Sequence, residues 1–260
     1  MKSPIKQKPL NNPGETLERE ITEFKNEKLA GYALAITLLI LLPAWEWYRW
    51  VFDPPVSPIT VSVVSVVGIG FFLYRVVKLR RDLRHLYQGL AGEKTVGQLL
   101  ESLRSDGATV FHDIPGSGFN LDHVVIHHSG IYVIETKTYS KPDKGKAAIL
   151  YDGKSLRFPG NIERDAPLIQ VTAGAKWFQE IVKESTGLAF DVRPVVVFPG
   201  WYVQSSVKAS KGQTWVLNPK ALMTFISSGR RALQDDQVSM VTAHVSAYIR
   251  AYKNNNPNVN

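Results

Sequence analysis

The sequence predicts an α/β fold: a mixed sheet flanked by helices, preceded by a two-helix transmembrane hairpin. Two observations lead to this prediction. Two long apolar runs lie in the first third of the 260-residue chain, whereas the rest alternates amphipathic helical segments with short β-rich runs. We therefore expect a cytosolic N-terminal segment at 1–28, a transmembrane hairpin at 29–77, a basic juxtamembrane helix at 78–89, a folded domain at 90–253 and a disordered tail at 254–260.

The hairpin is predicted from two uncharged apolar stretches at 29–42 and 59–74. The first continues into tryptophans and a tyrosine typical of a membrane interface, and the second leads into a basic cluster. Three prolines within 52–58 predict a turn between them. A buried helical hairpin in a soluble protein is the alternative, but belt aromatics, a proline-rich turn and basic flanks together favour membrane spans.

The distribution of lysine and arginine predicts the orientation of the hairpin. Six basic residues precede the first run, five lie between 75 and 84, and the connecting segment holds only Arg49. The positive-inside rule then places both ends of the chain in the cytoplasm. We expect a multi-pass protein of the bacterial inner membrane, with a cytosolic soluble domain and a basic flank that contacts anionic lipid.

Charge and cysteine content limit the possible functions. The net charge is +8, and five basic residues against one acid give 75–88 half of it, so the soluble domain offers only a modest argument for nucleic acid. The chain has no cysteine, which excludes disulfides, thiolate zinc sites and cysteine nucleophiles. Any metal ion must therefore bind to carboxylate, imidazole or carbonyl groups.

The folded domain alternates helical and β-rich segments. Helix formers cover 78–104, and we expect glycines 89 and 92 to divide this stretch into two helices. Another helix is expected to begin at Asp165-Ala-Pro167 and to bury Ile169, Ala173, Trp177 and Ile181. Strands are expected at 108–112, 121–127, 131–137, 147–150, 155–158 and 193–198, and further helices at 219–227 and 235–252.

The residues suited to chemistry lie on the hairpin of strands 121–127 and 131–137. Alternation places Glu135 and Lys137 on one face, and pairing of His127 with Tyr132 would set Asp122 opposite Lys137. Two carboxylates with water suit a hard cation such as Mg²⁺. A register slip of one residue would turn Asp122 away. The alternative interpretation is a surface salt bridge.

Four segments in order resemble the nuclease-related domain family. They are Gly92-Glu93, Asn120-Leu-Asp122-His-Val-Val-Ile126, Gly130-Ile-Tyr-Val-Ile-Glu135-Thr-Lys137 and Pro167-Leu-Ile-Gln170. This family is similar to the PD-(D/E)xK nucleases, so the resemblance implies a restriction-endonuclease-like fold and hydrolysis of phosphodiester bonds in DNA with Mg²⁺ or Mn²⁺.

The resemblance also implies roles for single residues. Asp122 and Glu135 would bind the metal together with the Thr136 carbonyl, and Lys137 would be the catalytic lysine. Glu93 and Gln170 would complete the catalytic site. Glu93 could instead be an acid favoured by a helix N-terminus, and Gln170 an ordinary polar residue of a helix face.

Several alternatives stay open at this point. The protein could be a nuclease or a non-catalytic module that binds nucleic acid or protein, and the substrate could be DNA or RNA. We expect His123, His127 and His128 to be solvated rather than metal-bound. Trp177, Phe178 and Trp201 are expected in the core. Lysines 141, 144 and 146 could contact phosphates or form a solvated loop.

Overall fold

The computed structural model describes residues 10–52, 58–142, 146–206 and 213–256. Contacts divide the chain into two units. One unit comprises Met1–Glu15 together with Gly89–Asn260, and the other comprises Thr16–Gln88. The predicted proline-rich turn at 53–57 and the last four residues of the predicted tail lie outside the described residues.

Helices dominate the first hundred residues. Helix α1 (Glu15–Phe24) continues through a π-helical turn (Lys25–Leu29) into α2 (Ala30–Phe52), and α3 covers Pro58–Glu101 before a 3₁₀ turn at Ser102–Asp106. Two apolar windows within these helices are long enough to cross a membrane, and they are 0% and 6% buried. Core helices of soluble proteins can match this length and composition, although such helices are mostly buried.

The predicted division of the basic helix at its glycines is wrong, because α3 is continuous through both positions. A glycine in a helix costs about 1 kcal/mol relative to alanine, which a long helix tolerates. Gly92 instead lies where α3 comes close to Thr138. A Cβ atom at this position would lie 1.9 Å from Oγ1 of Thr138. The small residue thus allows α3 to contact the chain just beyond Lys137.

The larger sheet is mixed, as predicted. Its strands follow the order β1 (Thr109–Pro115), β2 (Asn120–His127), β3 (Gly130–Thr136), β7 (Val192–Val197) and β9 (Trp215–Leu217). The first three strands are antiparallel, and β3, β7 and β9 are parallel. A second mixed sheet has the order β6 (Ile162–Glu163), β5 (Leu156–Phe158), β4 (Ala148–Tyr151) and β8 (Tyr202–Ser205).

Helices cover both faces of the larger sheet. On one face, Val124 and Val133 share a core with residues of α4 (Ala166–Thr186) and α6 (Asp235–Asn255). On the other, Val125 and Ile134 pack with residues from the end of α3 and from α5 (Pro219–Ser227). A sheet covered on both sides buries nearly every residue of its central strands, as β3 shows.

The buried face of α4 differs from the predicted one. The helix buries Leu168, Val171, Ala175, Phe178 and Val182, whereas Ile169 is 69% exposed. Both stripes fit a period of 3.6 residues, so periodicity alone could not choose between them. Contact with the sheet decides: a Cβ atom at position 174 would lie 2.7 Å from Cδ2 of Leu121, and only glycine allows this approach.

The start of α4 lies where predicted, whereas the end of α6 does not. The Asp165 side chain accepts the N–H of Leu156 at 3.0 Å and makes no cap hydrogen bond to α4. At the C-terminus, α6 continues to Asn255, so the predicted tail begins too early. The helix extends because Tyr252 and Lys253 still pack on the domain, and Lys253 is 5% exposed.

Candidate active site

The β2–β3 hairpin brings the two predicted metal-binding carboxylates together. His127 pairs with Gly130, and continuing this register places Asp122 opposite Glu135. The predicted pairing of His127 with Tyr132 is wrong by two residues, because the turn contains only 128 and 129. Side chains alternate with a period of two, so this shift leaves Asp122 on the predicted face.

Backbone and side-chain contacts fix the three central residues. The Asp122 carboxylate accepts the N–H of Thr136 at 2.7 Å. The Glu135 carboxylate lies 2.7 Å from Nζ of Lys137, and their side chains are 6% and 27% exposed. The pair is therefore largely buried, which contradicts the alternative of a surface salt bridge. The contact made by Thr136 is through its N–H, and the role of its carbonyl stays a prediction.

Excess negative charge surrounds Asp122. Burial, together with repulsion from Glu135 and Glu93, holds the pKa of its carboxyl well above the usual range, although the Thr136 N–H and Lys137 oppose the shift. The repulsion shows that Glu93 lies near enough to act on the site from α3. The approach of Gly92 to Thr138 brings this helix to the end of β3.

The pKa values of Glu135 and Lys137 are both raised, but for different reasons. Burial raises the pKa of Glu135, and Lys137 offsets part of this effect. Burial by itself would lower the pKa of Lys137, but the carboxylates of Glu135 and Asp122 raise it above the ordinary value. Lys137 is therefore a firmly protonated cation beside two carboxylates whose ionised forms are disfavoured.

The residues fit a hard divalent cation with a small protein ligand set. A cation between Asp122 and Glu135 would relieve the repulsion that raises the pKa of Asp122, and it would offset the burial that raises the pKa of both carboxyls. Across the described ranges, no group of three or more histidine, cysteine, aspartate or glutamate side chains could hold a metal ion. A bound Mg²⁺ would therefore take two carboxylates and complete its shell with carbonyl and water oxygens.

The structure does not bring Gln170 to this group. Its side chain is exposed on α4, and the described residues show no contact that links it to Asp122, Glu135 or Lys137. Its predicted role stays a prediction. Of the three loop lysines, 141 and 146 are exposed and 144 lies outside the described residues.

One neighbour of the site is absent from the sequence predictions. Residues 10–15, expected to belong to a separate cytosolic segment, pack on the folded domain. Asn11 donates to the Asp113 carbonyl at 2.5 Å, and Glu15 lies 3.6 Å from Nζ of Lys253. A Cβ atom at Gly14 would lie 3.3 Å from Oε2 of Glu93. No periodicity or motif in this short polar segment indicates such long-range contacts.

Two of the three histidines that we expected to be solvated are buried, whereas His128 is partly exposed at the turn. His123 and His127 are fully buried, and Nδ1 of His112 lies 2.9 Å from Nδ1 of His123. Burial and the neighbouring His112 lower the pKa of His123 to about 3, so it is neutral. The cause is the second helical layer, which covers the face to which His123 points.

The large aromatic residues pack as predicted. Phe178 and Trp201 are 1% and 4% exposed, and Nε1 of Trp201 donates to the Tyr139 carbonyl at 3.1 Å. Trp177 is partly buried against Phe119, with ring centroids 5.1 Å apart. These rings belong to the core, and core packing accounts for them without any contact to bases.

Comparisons with known proteins agree with the motifs. Residues 88–199 match the family model of the nuclease-related domain, which confirms the resemblance. An uncharacterized protein of Bacillus anthracis is 36% identical over 58 residues, which cover 20% of this chain and 27% of that protein. Pyrococcus furiosus SfsA in complex with Ca²⁺ aligns with 63% of this chain and 53% of its own, at 14% identity and a TM-score of 0.24, too low to support an argument.

Proposed function

From the nuclease-related domain that the chain carries over residues 88–199, we propose that the protein is a membrane-anchored, divalent-metal-dependent nuclease. It hydrolyses phosphodiester bonds in DNA at the cytosolic face of the inner membrane. The observation that carries the proposal is the convergence of Asp122, Glu135 and Lys137 at the end of β3. The buried Glu135 and the partly buried Asp122, both with raised pKa values, form a cation site, and a cationic lysine lies beside it.

Each residue has a distinct task in this proposal. A bound Mg²⁺ or Mn²⁺ supplies polarisation of the phosphodiester and a lowered pKa for a metal-bound water. Asp122 and Glu135 hold the cation, and the Thr136 N–H fixes the orientation of Asp122. Lys137, held by Glu135, orients water or stabilises charge that develops on phosphorus. Glu93 adds negative charge from α3.

The proposed anchor is the pair of helices α2 and α3. Their apolar windows are almost wholly exposed, which a membrane would accommodate and water would not. Reporter fusions at Asn26, Pro55 and Asn260 test the topology. We expect cytoplasmic signals at the first and last positions and a periplasmic signal at the second. A periplasmic signal at Asn260, or a full chain soluble without detergent, would contradict it.

A non-catalytic module that binds nucleic acid or protein at the membrane is the second candidate. One observation favours it: the Lys137 ammonium already pairs with Glu135 at 2.7 Å and so competes with a cation for the same carboxylate. The two candidates differ in whether a divalent cation displaces this contact.

Cleavage and cation binding by the full chain in detergent distinguish the candidates. Linear, circular and branched DNA would be incubated with Mg²⁺, Mn²⁺ or chelator, and binding of Mn²⁺ measured by calorimetry. We expect Glu135→Gln to lose cation binding and Lys137→Ala to retain it, and both to lose cleavage about 100-fold or more. The double variant should be little worse than the more damaging single one.

A matched control separates this effect from loss of any surface carboxylate. Glu163→Gln makes the same chemical change at an exposed residue that pairs with Arg157, and it should cleave like the wild type. Cleavage that survives Glu135→Gln, or a wild type that binds no divalent cation, would refute the nuclease and leave the binding module.

A further inference from the structure

A separate pocket lies beside α4. Its volume is about 470 Å³, and its walls come from α4, from the end of β4 with the turn that follows, and from Thr214. None of the predicted site residues lines it. Pockets for small molecules usually measure about 300–1,000 Å³, so this cavity has room for one compact group such as a single nucleotide.

The pocket combines an apolar wall with hydroxyl groups. Leu168, Ile169 and Ala173 of α4 form its apolar side. Ile169 is 69% exposed, although a large aliphatic side chain gains free energy when it is covered. Thr172 and Thr214 also line the pocket, and their Oγ1 atoms are 3.4 Å apart. The wall therefore suits a flat apolar group that carries polar edges.

Two lysines give the pocket a positive rim. Lys154 approaches from the turn after β4 and Lys176 from α4, and both are exposed. Neither forms an ion pair with a carboxylate of the described residues. Two cations that pair with no carboxylate of the described residues favour an anionic occupant, and the apolar wall of the same pocket favours an anion with an apolar part.

The pocket lies close to the proposed catalytic strands. At Gly174, α4 approaches Leu121 and Val133, which are one residue before Asp122 and two before Glu135. The pocket residues of α4 occupy another side of the same two turns of helix. A helix with its side chains is about 10–12 Å wide, so the pocket lies roughly three nucleotides from these strands at 3.4 Å per nucleotide.

We propose that this pocket holds one unstacked nucleotide of the DNA strand that the enzyme cuts. The base lies against Leu168, Ile169 and Ala173, and the backbone phosphates lie beside Lys154 and Lys176. The inference rests on the proposed function for the identity of the strand. Binding in this pocket needs no divalent cation, because lysines neutralise the phosphates.

The test is binding of a fluorescein-labelled single-stranded DNA of about 20 nucleotides to the full chain in detergent with chelator, followed by anisotropy. Ala173→Trp fills the pocket without changing charge, and Lys176→Glu reverses one rim charge. Both should weaken binding about tenfold or more, because the first removes the space for the base and the second replaces a phosphate contact with repulsion. Ile169→Asp, at an exposed side chain, replaces Ala173→Trp should the latter not fold.

Lys183→Glu is the matched control. It lies on α4 seven residues beyond Lys176, is exposed and does not line the pocket. We expect it to change affinity about twofold or less, in keeping with a single exposed charge. If Lys176→Glu and Lys183→Glu lose the same affinity and Ala173→Trp loses none, the losses reflect the net charge of the domain and not the pocket. This result would overturn the inference.

Three other outcomes would also overturn the inference. Every pocket variant could bind with wild-type affinity, or the wild type could fail to bind single-stranded DNA. Free deoxyadenosine monophosphate could also bind to the protein without weakening its affinity for the DNA strand. The inference and the nuclease fail in different ways. If only the nuclease is wrong, cleavage is absent while the variant pattern in binding persists. If only the pocket is wrong, cleavage persists while pocket variants bind like the wild type.

Discussion

Replacing Gly92 with alanine tests the contact that brings α3 to the proposed active site. The new Cβ atom would lie 1.9 Å from Oγ1 and 3.1 Å from Cβ of Thr138, whereas ordinary contacts begin at 3.4 Å. The two segments must therefore separate by 3.4 − 1.9 = 1.5 Å unless the threonine side chain rotates away. The displacement falls between Glu93 and Lys137, two of the proposed site residues.

The expected loss of stability follows from two opposing terms. Overpacking costs about 1–3 kcal/mol, and alanine in place of glycine within a helix returns about 1 kcal/mol. At 1.9 Å the new contact is far below the 3.0 Å at which a neighbouring atom must move, so the overpacking cost lies in the upper half of this range, at about 2–3 kcal/mol. The net loss of about 1–2 kcal/mol would lower the unfolding midpoint by about 2–8 °C for a unit of this size. Cleavage should fall further than stability, because a 1 Å displacement at a catalytic group can cost about 100-fold.

A double-mutant cycle with Thr138→Ala identifies the contact. The second change removes Oγ1 and leaves only the 3.1 Å approach to Cβ, so the double variant should recover much of the midpoint and the cleavage rate. Gly70→Ala in the same helix meets nothing within 4 Å and should be neutral or stabilising. An unchanged or raised midpoint for Gly92→Ala, or strictly additive effects in the cycle, would refute the reasoning.

Two further predictions concern charges. Because burial and repulsion from Glu135 and Glu93 raise the pKa of Asp122, its ionisation destabilises the folded state: the cost is absent below about pH 3.9 and grows as the pH rises towards the folded pKa. Asp122→Asn should therefore raise the unfolding midpoint in chelator at pH 7–8 but not near pH 3.5. The same variant should no longer be stabilised by Mg²⁺. Equal shifts of the midpoint at both pH values would contradict this reasoning. Glu15→Gln should destabilise the domain by about 1 kcal/mol in thermal denaturation, because it weakens the 3.6 Å contact of Glu15 with buried Lys253. The expected loss is small because Glu15 is 34% exposed and water screens its charge. An unchanged free energy of unfolding would show that this contact contributes nothing.

Local patterns in the amino-acid sequence were sufficient for most of the helices and for strands β1 to β5 and β7, but they did not predict α1 or the short strands β6, β8 and β9. Strand alternation is a local property, so the sequence alone assigns Glu135 and Lys137 to one face of β3. Asp122 of β2 joins that face only if the turn between the strands has an even number of residues. The four ordered motifs indicated the nuclease-related domain, whose family model matches residues 88–199, for the same reason, since motifs depend on residue identity and spacing along the chain.

The exact register was decided by the turn. A loop of two or four residues between β2 and β3 satisfies the same alternation, and only the two-residue turn sets Asp122 opposite Glu135. A similar ambiguity affected α4, where two apolar stripes fit the helical period. The stripe around Val171 and Phe178 is buried because Gly174 lets the helix approach the sheet on that side.

Long-range packing decided what local pattern could not. His123 is buried and neutral because helices cover the second face of the sheet, and no window of sequence around it contains those helices. Glycines that locally favour a helix end lie inside α3 without ending it. Gly92 leaves space there for Thr138, which follows the end of β3 and is more than forty residues away in sequence. Residues 10–15 join the domain through contacts with Asp113 and Lys253, which are brought to them by the chain fold alone. Contacts between segments distant in sequence depend on the summed packing of the whole chain, which no local stretch of residues encodes.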